Sequence, residues 1–202
     1  MNTLITVLPP TALVAAVALL ISALLARSQR RERRFERAHE ILSTLSTKTA
    51  ADDRHLLGTY HWRNRSITKG EVRDDVMRAY FSMLWLFSDI QKGRSSLLAT
   101  NKNKRDEAIE HLDEGIITVV LEYVCTFYAI KKKMIEADPN ERVFDGSYGN
   151  HFSELCAGLA EGAKDDTTKR MLLKVHVNNT EQCLCSCHSV DPQKKSRLAV
   201  AA

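Results

Sequence analysis

The densest set of chemically capable side chains in the chain is the run EQCLCSCHS, which brings Cys183, Cys185, Cys187 and His188 close together in sequence. Three thiols and an imidazole form a soft donor set suited to zinc or copper(I). Structural zinc sites space their thiols as Cys-x-x-Cys with a second pair further along, and alternating thiols lack that geometry. In a reducing compartment a thiol-rich tail also persists without bonding to anything. The set is therefore a candidate metal or redox site, with an inert tail as the competing expectation.

A second constellation lies on one helical stripe, where His111, Gly115, Thr118, Glu122 and Thr126 recur at steps of three and four. A metal site in a helical bundle needs inward carboxylates and histidines from several helices, commonly as Glu-x-x-His pairs. Glu36-Arg-Ala-His39 has that spacing but belongs to an arginine-rich segment. The stripe is accordingly expected to be a solvent face, because charged side chains are seldom buried unpaired. Cys125 and Cys156 sit within apolar runs and read as small core hydrophobes. His55, His61, His151 and His176 have no partner at ligand spacing. There is no phosphate loop, dinucleotide fingerprint, His-Glu-x-x-His or nucleophile elbow, so the expectation is a protein that is not an enzyme.

The elements that would carry these groups begin with an uncharged stretch from residue 1 to 26. It has no basic residue ahead of its apolar core and no small residue at Leu24, so it does not fit a cleavable signal. Pro9-Pro10 suits a helix start, and Pro10 to Ala26 would reach roughly 25 Å, with Thr3 to Leu8 filling the remaining interface. The expectation is a single-pass anchor in the cell membrane. Arg27, Arg30, Arg31, Arg33, Arg34 and Arg37 follow it against only Glu32 and Glu36. Placed by the positive-inside rule, the N-terminus faces out and the body faces the cytoplasm. These six arginines are then membrane-surface residues in contact with the lipid bilayer. Residues 38 to 202 hold 23 basic and 23 acidic side chains, so the body carries no basic excess and no nucleic-acid partner is expected.

Further along, Phe35, Ala38, Leu42 and Leu45 form a short a/d seam, and Thr11, Ala15, Ala18 and Ser22 form a small-residue stripe one position out of phase. The seam packs either on a second copy or on the chain's own domain. Thr49-Ala-Ala-Asp52 and Thr68-Lys-Gly-Glu71 have the form of capping boxes and predict two helix starts. The second helix is expected to stop near Gly93 and to be central, since Phe81, Trp85 and Leu86 make its other side apolar too. A longer helix is predicted over 104–134, a shorter one over HFSELCAGLAEGA, and MLLKVHV is read as helix despite its strand-like alternation. IITVVLEYVCTFYAI is too short for a second span and carries Glu122.

The fold class expected is all-α, a single N-terminal transmembrane helix followed by a cytosolic antiparallel helical bundle. Residues 1–26 would be the anchor, 27–48 a basic juxtamembrane helix, 49–177 the bundle and 178–202 a flexible cysteine-containing tail. An apolar segment, an arginine-rich linker, DDRHLLGTYH and then VRDDVMRAYFSMLWLFSDIQKGRSSL resemble small membrane-anchored helical proteins of actinobacteria over residues 10–130. That resemblance carries no assigned activity and transfers no functional residue. The function expected is a non-enzymatic protein-interaction or scaffold module at the cytoplasmic membrane face, contacting a protein partner or a second copy. A thiol- or metal-responsive sensor built on the tail cysteines is the alternative.

Overall fold

The computed structural model describes residues 10–102 and 104–177; Cys183, Cys185, Cys187 and His188 lie outside the described residues. Six helices follow in order: α1 Pro10–Ser43, α2 Lys48–His61, α3 Glu71–Ala99, α4 Glu107–Ala137, α5 Gly146–Gly162 and α6 Asp166–Val177, with one 3-10 turn at Thr44–Ser46 joining α1 to α2. No strand occurs among the described residues, and MLLKVHV is helical within α6.

Local chemistry sets the starts, though not always at the predicted residue. The hydroxyl of Thr47, not Thr49, caps α2 by accepting the Ala50 N–H at 3.3 Å. Helix α3 starts after Gly70 with no side-chain cap, so Thr68 has no such role. Glu71 and Asp74 in its first turn instead complement the helix dipole. Asp106 caps α4 by accepting the Ile109 N–H at 3.3 Å.

Cross-helix partners give the directions. Tyr80 and Phe87 on α3 meet Phe127 and Tyr123 on α4, and Arg94 meets Asp113, so the two helices run antiparallel. Arg34 meets Asp106, Arg54 meets Glu122, and Lys133 meets the Tyr60 carbonyl, so the second half of α1 and then α2 run along α4 in the same sense. Tyr80 meets Asp145, Ser88 meets His151 and Arg94 meets the Gly158 carbonyl, so α5 runs with α3. The result is an up-down-up-down bundle whose first pillar is α1 continued by α2.

Its core is Val76, Met83, Phe87 and Ile90 against Ile109, Leu112, Ile116, Val120, Ile130 and Met134, closed by Leu155, Cys156 and Leu159. Phe87, Tyr123, Phe127 and Phe152 pack with ring centroids 5.0–5.9 Å apart, mostly edge to face. The apolar run from Ile116 to Ile130 is thus the buried centre of α4. Helix α3 is central as predicted, touching α1, α2, α4 and α5. Trp85, however, is 60% exposed.

Two glycines depart from their sequence reading. Gly93 does not stop α3, which continues to Ala99. A Cβ there would lie 2.8 Å from Ile41 Cδ1, so the glycine lets α1 come close. Gly115 plays the same part on α4, where a Cβ would lie 2.6 Å from a Leu42 methyl. The solvent-face reading of the stripe on α4 holds for its first part and fails at Glu122 and Thr126. Leu42 covers Gly115, Arg54 holds Glu122, and Thr126 is buried with its hydroxyl donating to the Glu122 carbonyl at 2.8 Å. His111, Thr118 and, outside its contact with Leu42, Gly115 stay exposed.

The membrane span is also corrected. Among the described residues no helix is long and apolar enough to cross a membrane. The apolar part of α1, residues 10–26, is 17 residues long, where a span needs about 20. The helix then continues without a break into Arg27–Ser43 and docks on α3 and α4. The single-pass localisation, with its outside N-terminus and cytoplasmic body, falls with the span. Ala38 and Leu45 are buried and Phe35 and Leu42 pack partly buried against the core, so the seam packs on the chain's own domain.

Candidate functional site

Helix α1 has two halves with the same register and different surroundings. Val14, Val17, Ile21 and Leu24 recur at steps of three, four and three, and Phe35, Ala38, Leu42 and Leu45 continue that seven-residue register. The second set is covered by α3 and α4. The first set is not: Val14 is 69% exposed and Leu24 58%, and every described residue from Val14 to Arg33 is exposed. The first half therefore stands off the bundle as an arm of roughly 30 Å. The small-residue stripe Thr11, Ala15, Ala18 and Ser22 draws attention away from this seam. The seven-residue continuity with Phe35 is the signal that reveals it.

The arm's root is fixed by two arginines. Arg34 Nε lies 2.7 Å from Asp106 Oδ2 and Nη2 lies 3.1 Å from Oδ1, while Nη1 donates to the Leu97 carbonyl at 2.7 Å and to Thr100. One guanidinium thus ties α1 to the end of α3 and the start of α4. Burial raises the Asp106 carboxyl, but the Arg34 hydrogen bond, helped by the Ile109 N–H, outweighs it and holds the group below its ordinary value. Arg31 pairs with Glu107 and lies over the Phe35 ring, 5.9 Å from its centroid. Arg37 pairs with Glu40 at 2.5 Å. Arg27, Arg30 and Arg33 stay exposed along the arm side of the root. The six arginines expected at a membrane surface thus divide into two that hold the bundle's end, one, Arg37, paired along its own helix, and three that project.

Between α1 and α3 lies an open cleft of about 430 Å³, lined by Arg37, Glu40, Thr44, Asp89, Lys92 and Ser96 among others. Its charges neutralise one another along their own helices, Arg37 with Glu40 and Lys92 with Asp89. The buried charges elsewhere are cross-braces. Arg94 and Arg105 share Asp113, and Arg73 holds Glu141 and the Met134 carbonyl. Tyr80 and Lys131 share Asp145, and burial, reinforced by Asp145, pushes the Tyr80 hydroxyl well above its ordinary pKa. Ser88 shares a hydrogen bond with His151 at 2.7 Å, but Ser88 is fully buried and no substrate reaches its oxygen.

Cys125 and Cys156 are free and buried, and burial pushes the Cys156 thiol up, as fits a core hydrophobe. Among the described residues no three His, Cys, Asp or Glu side chains are grouped to hold a metal. Neither Glu36 nor His39, both exposed, nor the stripe on α4 forms such a group. No protein-family model, no curated protein and no solved structure matches the chain.

Proposed function

We propose that the chain is a non-enzymatic helical interaction module, in which the bundle is a rigid base and the α1 arm is the contact element. One observation carries this reading. Val14, Val17, Leu19, Leu20, Ile21, Leu24 and Leu25 are between 48 and 72% exposed on one continuous helix. Contiguous apolar surface of that extent marks a contact site on a folded protein, whereas single exposed leucines carry no such meaning. The ion pairs of Arg31 and Arg34 support the same reading, because they set the arm's exit from the bundle. A contact element held on a rigid base has less conformational freedom to lose on binding.

The test compares the full chain with Ile21→Asp/Leu24→Asp in chemical cross-linking from native cell extract. Cross-links to other proteins formed by the original chain and lost in the variant are the expected result. Equal recovery of cross-linked proteins by both chains would remove the arm from the function.

A further inference from the structure

The arm's geometry deepens that reading, and rests on it, by selecting an occupant. We infer that the arm is covered by the arm of a second copy, paired antiparallel. Three observations lead there.

The first is the composition of the exposed face. Val14 and Ile21 take the a positions and Val17 and Leu24 the d positions, flanked by Leu20 and Leu25. That is the pattern a helix shows to another helix, with the residues of one inserted between those of its neighbour. The opposite side carries Ala15, Ser22, Ala23 and Ala26 with Leu19 as its one large described side chain, so the seam face is the richer in large side chains. The six large side chains on the seam face and its flanks are each 48 to 69% exposed, and a helix pair covering them buries on the order of several hundred Å² per copy, at the low end of specific interfaces.

The second is steric. The same register that faces outward in the arm faces α3 and α4 from Phe35 onward. A parallel partner helix lying on that seam would run into the chain's own α3–α4 end. In an antiparallel partner the described α1 helix starts at Pro10, opposite position 28 and short of that end, with its bundle at the far tip of the arm.

The third is electrostatic. Arg27, Arg30 and Arg33 are exposed and unpaired among the described residues. Parallel pairing stacks the two arginine sets on one another, and antiparallel pairing separates them by the length of the apolar segment. In antiparallel register Val14 of one copy faces Leu24 of the other, and Val17 faces Ile21.

Sedimentation equilibrium of the full chain, from about 1 to 100 µM, is the first test, since an interface of this size gives affinities anywhere from micromolar upward. A dimer is expected, with Ile21→Asp/Leu24→Asp monomeric at every concentration and its bundle still unfolding cooperatively, because no arm residue belongs to the core. Orientation is read by disulfide trapping in a chain with Cys183, Cys185 and Cys187 replaced by serine. Val14→Cys mixed with Leu24→Cys is expected to give the mixed dimer at least tenfold over either like pair. A monomeric original chain, or Val14→Cys trapping itself preferentially, overturns the inference. So does depletion of the original chain onto phosphatidylcholine vesicles without self-association, which would assign the arm to lipid. If the chain is monomeric yet its extract cross-links still depend on Ile21 and Leu24, this inference fails while the interaction-module reading stands.

Discussion

Arg34 and Asp106, 72 positions apart in sequence, meet through two parallel hydrogen bonds of 2.7 and 3.1 Å. The acceptor is also the residue that caps α4, and the donor's third nitrogen closes the end of α3 through the Leu97 carbonyl. The planar fork of a guanidinium matches a carboxylate and still has a nitrogen to spare, which a lysine ammonium does not reproduce. Arg34→Lys should therefore behave almost like Arg34→Ala. Each is expected to lower unfolding free energy by about 1–3 kcal/mol, the range for a charge-assisted bond lost at a half-buried site. Urea unfolding measures it. A lysine variant as stable as the original would show that charge alone, without the fork, holds α1 down.

The same carboxylate gives a pH dependence with a definite sign. The Asp106 pKa is held below its ordinary value in the folded protein, so the folded state binds fewer protons there than the unfolded chain. Its contribution is complete above the unfolded carboxylate value, about 4, and is lost as pH falls through the lowered folded value. Asp106→Asn keeps a cap but has no proton to take up. The difference in unfolding free energy between original chain and variant should be flat from pH 5 to 7 and should shrink below about pH 4. A difference that grows on acidification would mean that Arg34 does not set this group.

Much of this architecture is legible in the sequence, and the exceptions share a cause. The a/d spacing of Phe35, Ala38, Leu42 and Leu45, and the faces of α3 and α4, are written in local periodicity and appear as predicted. Gly93 is a breaker by local propensity but a contact glycine in the bundle, because Ile41 arrives from a helix some fifty positions earlier. Thr47 instead of Thr49 caps α2, because the chain leaves the 3-10 turn two residues sooner than the box pattern implies. The arginine block shows a net charge in sequence but not its acids. Asp106 and Glu107 lie more than seventy residues away, so Arg31 and Arg34 look free for a membrane surface when they are engaged. The apolar run before them reads as an anchor on composition. Its continuity with a docked helix emerges only in three dimensions.

The most buried charge pair offers a different test. Arg94 and Asp113 have side chains only 4 and 7% exposed, with Nε 2.7 Å from Oδ1 and Nη2 3.1 Å from Oδ2. Arg94 Nη2 also donates to the Gly158 carbonyl at 2.9 Å, and Arg105 shares Asp113 from a more exposed position at 2.7 Å. The node therefore joins α3, α4 and α5 with one acid between two cations. Removing the acid leaves Arg94 buried and unpaired, and Asp113→Ala is expected to cost about 3–5 kcal/mol. Replacing both members with apolar side chains removes the uncompensated charge, while Arg105, 27% exposed, can turn toward water. Arg94→Met/Asp113→Leu should thus be more stable than Asp113→Ala by about 2 kcal/mol or more, despite being the larger change. Thermal and urea unfolding of the two variants decide it. If the double variant is the less stable, the pair contributes net attraction beyond its desolvation cost, and the node holds the bundle together as well as fixing the alignment of its three helices.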